Sequence, residues 1–124
     1  MTQQKFLSNL LAENHDAVII GSLGTISYDL TDISHPNKIL IRGAMGAVLG
    51  VSLGYALSTD KKVIGIMGDG AYLMSMGATA TIIAHKPKNL EIIILNNAKY
   101  ASTGGQPTNF RHILTPFKVV DVDV

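Results

Sequence analysis

The 124-residue chain contains no cysteine. That excludes a disulfide framework and any thiolate-held metal or iron–sulfur cluster, and it is compatible with a cytoplasmic setting. Charge is scarce as well: Asp, Glu, Lys and Arg make up 15% of the residues and leave a net charge of +1. Because no basic block stands out, the composition carries no nucleic-acid footprint. A charge fraction this low beside 47% hydrophobic residues predicts apolar surface that a partner covers. Long hydrophobic runs are missing too. The N-terminus, MTQQKFLSNLLAENHD, has no continuous apolar core of signal-peptide type. The longest apolar run, GAMGAVLGVSLGYAL at 43–57, is too short and too glycine-rich for a membrane span. Its Gly46, Gly50 and Gly54 series reads better as small residues that seat a helix close to a sheet or another helix than as a membrane pairing motif. No repeat, low-complexity segment or linker is visible, so the length implies one domain over 1–124.

What is present is an alternation of short apolar runs with helix-length segments. Residues 3–13 place Phe6, Leu10 and Leu11 on one helical stripe, with Leu7 beside them. AVIIGS at 17–22 predicts a buried strand, and SLGTISYDLTDI predicts a loop and then a helix. KILIR (38–42), KKVIGIMG (61–68) and NLEIIILN (89–96) predict further strands, and FKVVDVDV (117–124) a fifth. Helices are expected over 44–58 and over 71–86, the second ended by Pro87. The pattern is that of βαβ units: a three-layer α/β domain with a largely parallel sheet.

In such sheets, ligands bind beyond the carboxyl ends of the strands. Gly68-Asp69-Gly70 follows the third strand and Asn96-Asn97 follows the fourth, so the two motifs are expected on one rim, in adjacent crossover units. Glycines let backbone N–H groups approach a ligand, and a helix starting near Ala71 would aim its N-terminal dipole there, which suits phosphate. Magnesium takes about six oxygens, typically one or two side chains plus phosphates and water. Asp69 offers a carboxylate, Asn97 an amide oxygen, and the turn after it a carbonyl. Taken singly, Asp69 reads as a helix N-cap and Asn97 as a simple turn. The spacing is not that of a dinucleotide fingerprint, because the glycine after Gly70 is Gly77. The pair, separated by the length of one helix and one strand, is the more specific signal.

GDG at 68–70 followed by NN at 96–97 resembles the diphosphate- and magnesium-binding motif of thiamine diphosphate enzymes, and the likeness covers about residues 15–108. The resemblance implies a thiamine diphosphate-binding fold in a short form. It implies that Asp69, Asn97 and the Lys99 carbonyl bind Mg2+, and that Gly70 and Ala71 give N–H groups to the diphosphate, with Gly68 and Ser102 beside the cofactor. Upstream, Met45 matches the apolar residue that wedges between the cofactor's two rings, and the Gly43 carbonyl matches the acceptor for its 4′-amino group. For Met45, ordinary core filling is the alternative. GDGAYLMSMGA and YASTGGQPT are most similar to the cofactor-binding subunit of sulfopyruvate decarboxylases and to phosphonopyruvate decarboxylases. This implies a carbon–carbon lyase that converts a 2-oxo acid to an aldehyde and CO2. A similar TGGQ occurs in 2-oxoacid:ferredoxin oxidoreductases, whose cluster-binding cysteines this chain lacks.

The same family requires a glutamate on the cofactor's aminopyrimidine, supplied by a separate pyrimidine-binding domain. Glu13 and Glu91 are the only glutamates; one lies on the first helix and the other near the start of a strand, away from the rim. The expectation is half an active site, completed in a hetero-oligomer by an alpha-type subunit. The segment after the GGQPT loop is shorter than the family's, so the usual C-terminal part of the domain is expected to be missing, and a non-catalytic cofactor-binding remnant stays open. His15, His35, His85 and His112 show no metal-type spacing. Ser102, Thr103 and Gln106 face substrate or cap their own loop. Arg42 and Lys99 either attract a sulfonate or phosphonate or stand as solvated charges.

Overall fold

The computed structural model describes residues 1–123. A parallel sheet organises it, built from β1 (Val18–Gly21), β2 (Lys38–Leu40), β3 (Val63–Gly68), β4 (Leu90–Asn96) and β7 (Lys118–Asp121). Their spatial order is β2-β1-β3-β4-β7. The central strands are near-continuous runs of β-branched and apolar residues because both sheet faces are covered. Alternation then sorts their side chains. Ile19, Ile64, Ile66, Ile93 and Leu95 point to one face and pack with Leu7, Leu10, Leu11, Ile26 and Leu30. Those partners come from α1 (Gln3–Glu13) and α2 (Thr25–Thr31). Val18, Ile20, Val63, Met67, Ile92 and Ile94 point to the other. There they meet α3 (Val48–Ser58), α4 (Asp69–Met74) and α5 (Ala78–His85). The result is the expected three-layer α/β arrangement.

Three local expectations are corrected. The helix predicted over 44–58 begins only at Val48, and the helix predicted over 71–86 breaks between Met74 and Ala78. One contact explains both: Gly46 adopts φ +89°, and Ser75 Oγ donates to its carbonyl at 2.7 Å. A side chain at Gly46 would sit 3.1 Å from Ser75 Cβ, so the turn before α3 and the break after α4 lock together. The dipole expected from one long helix is therefore that of the six-residue α4. The third correction concerns the glycine series. Gly50 and Gly54 face outward with nothing near them. α3 approaches the sheet instead through Ser52, which lies directly over Gly65 of β3, where any side chain would collide with its hydroxyl.

The loop beyond β4 carries structure that periodicity does not announce. β5 (Lys99–Tyr100) and β6 (Gln106–Pro107) form a short antiparallel pair, with 3₁₀ turns at Ala101–Thr103 and Phe110–His112. Phe110 is buried and meets the Tyr72 ring edge-on at 6.0 Å, which fastens this loop to α4.

Candidate functional site

The chain order reverses between β1 and β3, the switch point at which a parallel sheet opens a crevice beyond its carboxyl ends. A cleft of about 120 Å³ opens there, lined by Ser22–Ile26 after β1, Gly68–Ala71 after β3, and Asn97 with Lys99–Thr103 after β4. β3 and β4 are paired in register, Gly68 opposite Leu95, so the two motifs do meet on one rim in adjacent crossover units. Of the residues singled out from sequence, Met45, Gly68, Asp69, Gly70, Ala71, Asn97, Lys99 and Ser102 all line this cleft. Gly43 does not; it lies in an adjoining hollow with Leu23, Gly24 and Arg42, at φ +72°.

Asp69 is the first residue of α4 and is 1% exposed. Its Oδ2 accepts a hydrogen bond from Thr108 Oγ1 at 2.5 Å. Among the described residues the ion pairs are Met1 with Asp123 and Lys62 with Glu91, so no basic side chain compensates the Asp69 carboxylate. A buried carboxylate without a counter-charge is costly in isolation, and its second oxygen takes no hydrogen bond from the described residues. A cation placed in the cleft would supply what this group lacks.

The two asparagines have separate duties. Asn96 Nδ2 donates to Asp121 Oδ1 of the neighbouring strand at 2.9 Å, and Asn96 Oδ1 accepts from the Ala98 N–H at 3.1 Å. Asn97 lines the cleft, and its Oδ1 accepts from the Lys99 N–H at 3.2 Å. That is an Asx turn, and the second lone pair of the oxygen is still available to a cation. Ala98, between Asn97 and Lys99, takes φ +64°, uncommon for a residue with a Cβ.

Gly70 owes its identity to a neighbour as well as to any ligand. A Cβ there would stand 2.5 Å from Tyr100 Cε1 and 3.4 Å from Met45 Cε. The Tyr100 ring therefore lies flush on the α4 backbone, and Met45, 37% exposed, stands at the cleft mouth. On the far side, a Cβ on Gly24 (φ +81°) would lie 3.2 Å from Ser102 Oγ, so the 3₁₀ turn at Ala101–Thr103 closes over the β1–α2 loop. Gln106 packs instead against Gly104.

Sequence reasoning missed the β1–α2 loop, Tyr100, Thr108 and Gln3. The rule that pointed to the ends of β3 and β4 applies equally to the end of β1, where Ser22-Leu23-Gly24-Thr25 follows an apolar run; that signal was present. Gln3 is 3% exposed, donates to Thr25 Oγ1 at 3.2 Å and to Asp29 Oδ2 at 2.9 Å, and reaches the cleft from α1. Nothing in its local pattern sets it apart from a solvated glutamine. The two glutamates lie where sequence placed them. Glu91 sits near the start of β4, about 17 Å from the rim at roughly 3.3 Å per residue, and Glu13 closes α1.

Comparison with known proteins agrees with this geometry. The family description "Thiamine pyrophosphate enzyme, C-terminal TPP binding domain" matches residues 20–120. The beta subunit of sulfopyruvate decarboxylase from Methanococcus maripaludis is 36% identical over 110 residues, covering 88% of this chain and 60% of that protein. Phosphonopyruvate decarboxylase from Streptomyces viridochromogenes is 40% identical over 104 residues, covering 82% and 26%. The chain thus spans less than two thirds of the length of either relative. Among solved structures, a Mycobacterium smegmatis protein assigned to the thiamin diphosphate-dependent enzymes superposes with a TM-score of 0.68 at 26% identity, over 87% of this chain and 23% of that one. With a match running from β1 to β7 and a switch-point cleft built from the GDG and NN segments, the chain belongs to the thiamine pyrophosphate enzymes, as a C-terminal TPP-binding domain.

Proposed function

We propose that this chain is the magnesium- and thiamine diphosphate-binding half of a two-chain 2-oxo acid decarboxylase acting on sulfopyruvate or phosphonopyruvate. The observation that carries the reading is the buried, uncompensated Asp69 carboxylate facing a rim cleft beside Asn97. One carboxylate, one amide oxygen and one backbone carbonyl form the partial oxygen set that magnesium uses when phosphates and water complete its shell. Asp69, Asn97 and the Lys99 carbonyl hold the metal in this reading, and the Gly70 and Ala71 N–H groups face the diphosphate. Gly68 and Ser102 would border it, Met45 would support the cofactor from the cleft mouth, and Gly43, in the adjoining hollow, would offer its carbonyl to the 4′-amino group.

When bound, thiamine diphosphate supplies a thiazolium ring able to accept the electron pair released as the substrate's carboxylate leaves as CO2. This chain's part is to hold, orient and neutralise. Neither Glu13 nor Glu91 reaches the rim; in this reading a pyrimidine-binding partner supplies the glutamate that activates the cofactor. The sulfopyruvate decarboxylase relative is a beta subunit by name, which favours the two-chain layout and, with it, sulfopyruvate over phosphonopyruvate.

The test is capture of the tagged chain from an extract of its own cells, with Mg2+ and thiamine diphosphate present. The eluate is assayed for CO2 release from sulfopyruvate, phosphonopyruvate and pyruvate. Turnover of one acid, lost when the bait carries Asp69→Ala, is the expected result and names the substrate. An eluate that turns over none of the three, from a chain that still binds the cofactor, leaves a non-catalytic cofactor-binding remnant.

A further inference from the structure

We infer that Thr108 is a positioning residue that presets the cation site by tying its two halves together, an inference that rests on the magnesium reading of Asp69 and Asn97. Those two residues belong to different crossover units, and no hydrogen bond among the described residues runs directly between Asp69 and the Asn97–Lys99 segment. Thr108 bridges them. Its Oγ1 donates to Asp69 Oδ2 at 2.5 Å, and its backbone N–H donates to the Ala98 carbonyl at 3.1 Å, between the Asn97 side chain and the Lys99 peptide. The Phe110 N–H donates in turn to Thr108 Oγ1 at 3.4 Å.

The direction of each bond is fixed by chemistry. An ionised carboxylate can only accept and the Phe110 N–H can only donate, so the single hydroxyl hydrogen of Thr108 has one destination, Asp69. A short hydroxyl–carboxylate bond in a site 1% exposed at Asp69 and 7% exposed at Thr108 is of the charge-assisted kind. It holds one carboxylate oxygen and leaves the other to the cleft. The backbone bond at the same residue braces Ala98, whose left-handed conformation (φ +64°) is otherwise disfavoured for alanine. Thr108 is itself held from below: Phe110 is buried against Tyr72 of α4. A single residue of the GGQPT loop therefore sets the spacing between the donor of α4 and the donors after β4. Groups that orient a metal's own ligands typically change affinity by about 10–100-fold when removed.

The experiment compares wild type, Thr108→Val and Thr108→Ser. Valine keeps the shape and removes the hydroxyl; serine keeps the hydroxyl and removes the methyl. Mn2+, as a paramagnetic stand-in for Mg2+, is titrated with thiamine diphosphate present, and free Mn2+ is read by electron paramagnetic resonance. In parallel, three-bond NMR couplings report the Asp69 χ1 rotamer in the metal-free chain. The expected result is a roughly 10–100-fold weaker Mn2+ affinity in Thr108→Val, with Asp69 averaging between rotamers, and near-wild-type behaviour in Thr108→Ser. Equal affinity and an unchanged rotamer in Thr108→Val overturn the inference. So does equal weakening in both variants, which would assign the effect to methyl packing. A wild-type chain that takes up no Mn2+ refutes the cofactor reading instead, and the rotamer measurement then decides the role of Thr108 alone. If Thr108→Val does not fold, Thr108→Ala carries the same comparison.

Discussion

The two ends of the sheet are built on opposite terms. At the amino end of the strands, polar groups are matched to one another. The Asn89 carboxamide reaches the carbonyls of Ala56, Thr59 and Lys61 at 2.8–3.0 Å, closing the exit of α3 onto the entry to β4. His35 is held on both ring nitrogens, by the Asn14 carbonyl and the Asn37 N–H, and Lys62 meets Glu91 at 3.7 Å. At the carboxyl end, the buried Asp69 carboxylate has the Thr108 hydroxyl and no basic side chain beside it among the described residues. All five glycines with positive φ lie there, as do the left-handed residues Ala98 and Asn109, while the amino end has only the left-handed helix cap Lys86. One end satisfies its own groups and contributes stability; the other leaves demands that a ligand would meet. Strain and unpaired charge concentrated in one place are the physical mark of a site.

The contrast can be broken most decisively at Asp69 and Asn89. Asp69→Asn keeps the shape and an oxygen for Thr108 but removes the charge. It is expected to abolish stabilisation by Mg2+ and thiamine diphosphate, which for wild type at a hundredfold excess over Kd amounts to about 2.7 kcal/mol. The ligand-free chain should be no less stable than wild type, because the charge it loses was uncompensated. Asn89→Ala reverses the pattern. It removes bonds to three carbonyls, two of them part-buried, and costs about 1–2 kcal/mol of stability, while the ligand-induced increment stays intact. Urea titrations with and without ligand read both. If Asn89→Ala also erased the ligand increment, the two ends would not be separable.

A smaller effect is expected where the site borders the core. Gly70→Ala drives a methyl into the Tyr100 ring and should cost about 1–3 kcal/mol by overpacking. Combining it with Tyr100→Ala should recover most of that loss, whereas Tyr100→Phe, which keeps the ring, should recover none. A double-mutant cycle measures the coupling; additivity would mean that Gly70 answers to something other than Tyr100.

The smallest expected effect lies away from both ends. Ser52 Oγ, wholly buried over Gly65 and sealed from every cleft, has no hydrogen-bond partner among the described residues. Ser52→Ala removes an unsatisfied group and should raise stability by about 1 kcal/mol without touching ligand binding. A loss of stability in the denaturation curve would show that the hydroxyl does find a partner.

Much of the site was legible because it follows from strand ends. Alternating apolar runs mark β3 and β4, parallel pairing puts their carboxyl ends side by side, and the residues just past them, Asp69 and Asn97, have nowhere else to be. The end of β1 was legible by the same rule. Thr108 was not: it acts on a residue 39 positions away, through a loop whose hairpin is only two residues per strand. Nor was the division of labour between Asn96 and Asn97. Neighbours at a strand end face opposite ways, so sequence could say that one of them turns from the cleft but not which.

The sequence by itself determined the class of fold and the rim on which the two motifs would gather, because hydrophobic periodicity is a consequence of local backbone geometry and successive parallel strands joined by helical crossovers end on the same rim. Tertiary structure decided the contacts between separate units. The hydroxyl of Thr108 on Asp69, the tyrosine lying on Gly70, and the serine rather than the glycines of α3 pressing on the sheet were settled there. Those pairings depend on how packed layers bring distant side chains within hydrogen-bond or van der Waals range, and no local pattern encodes that.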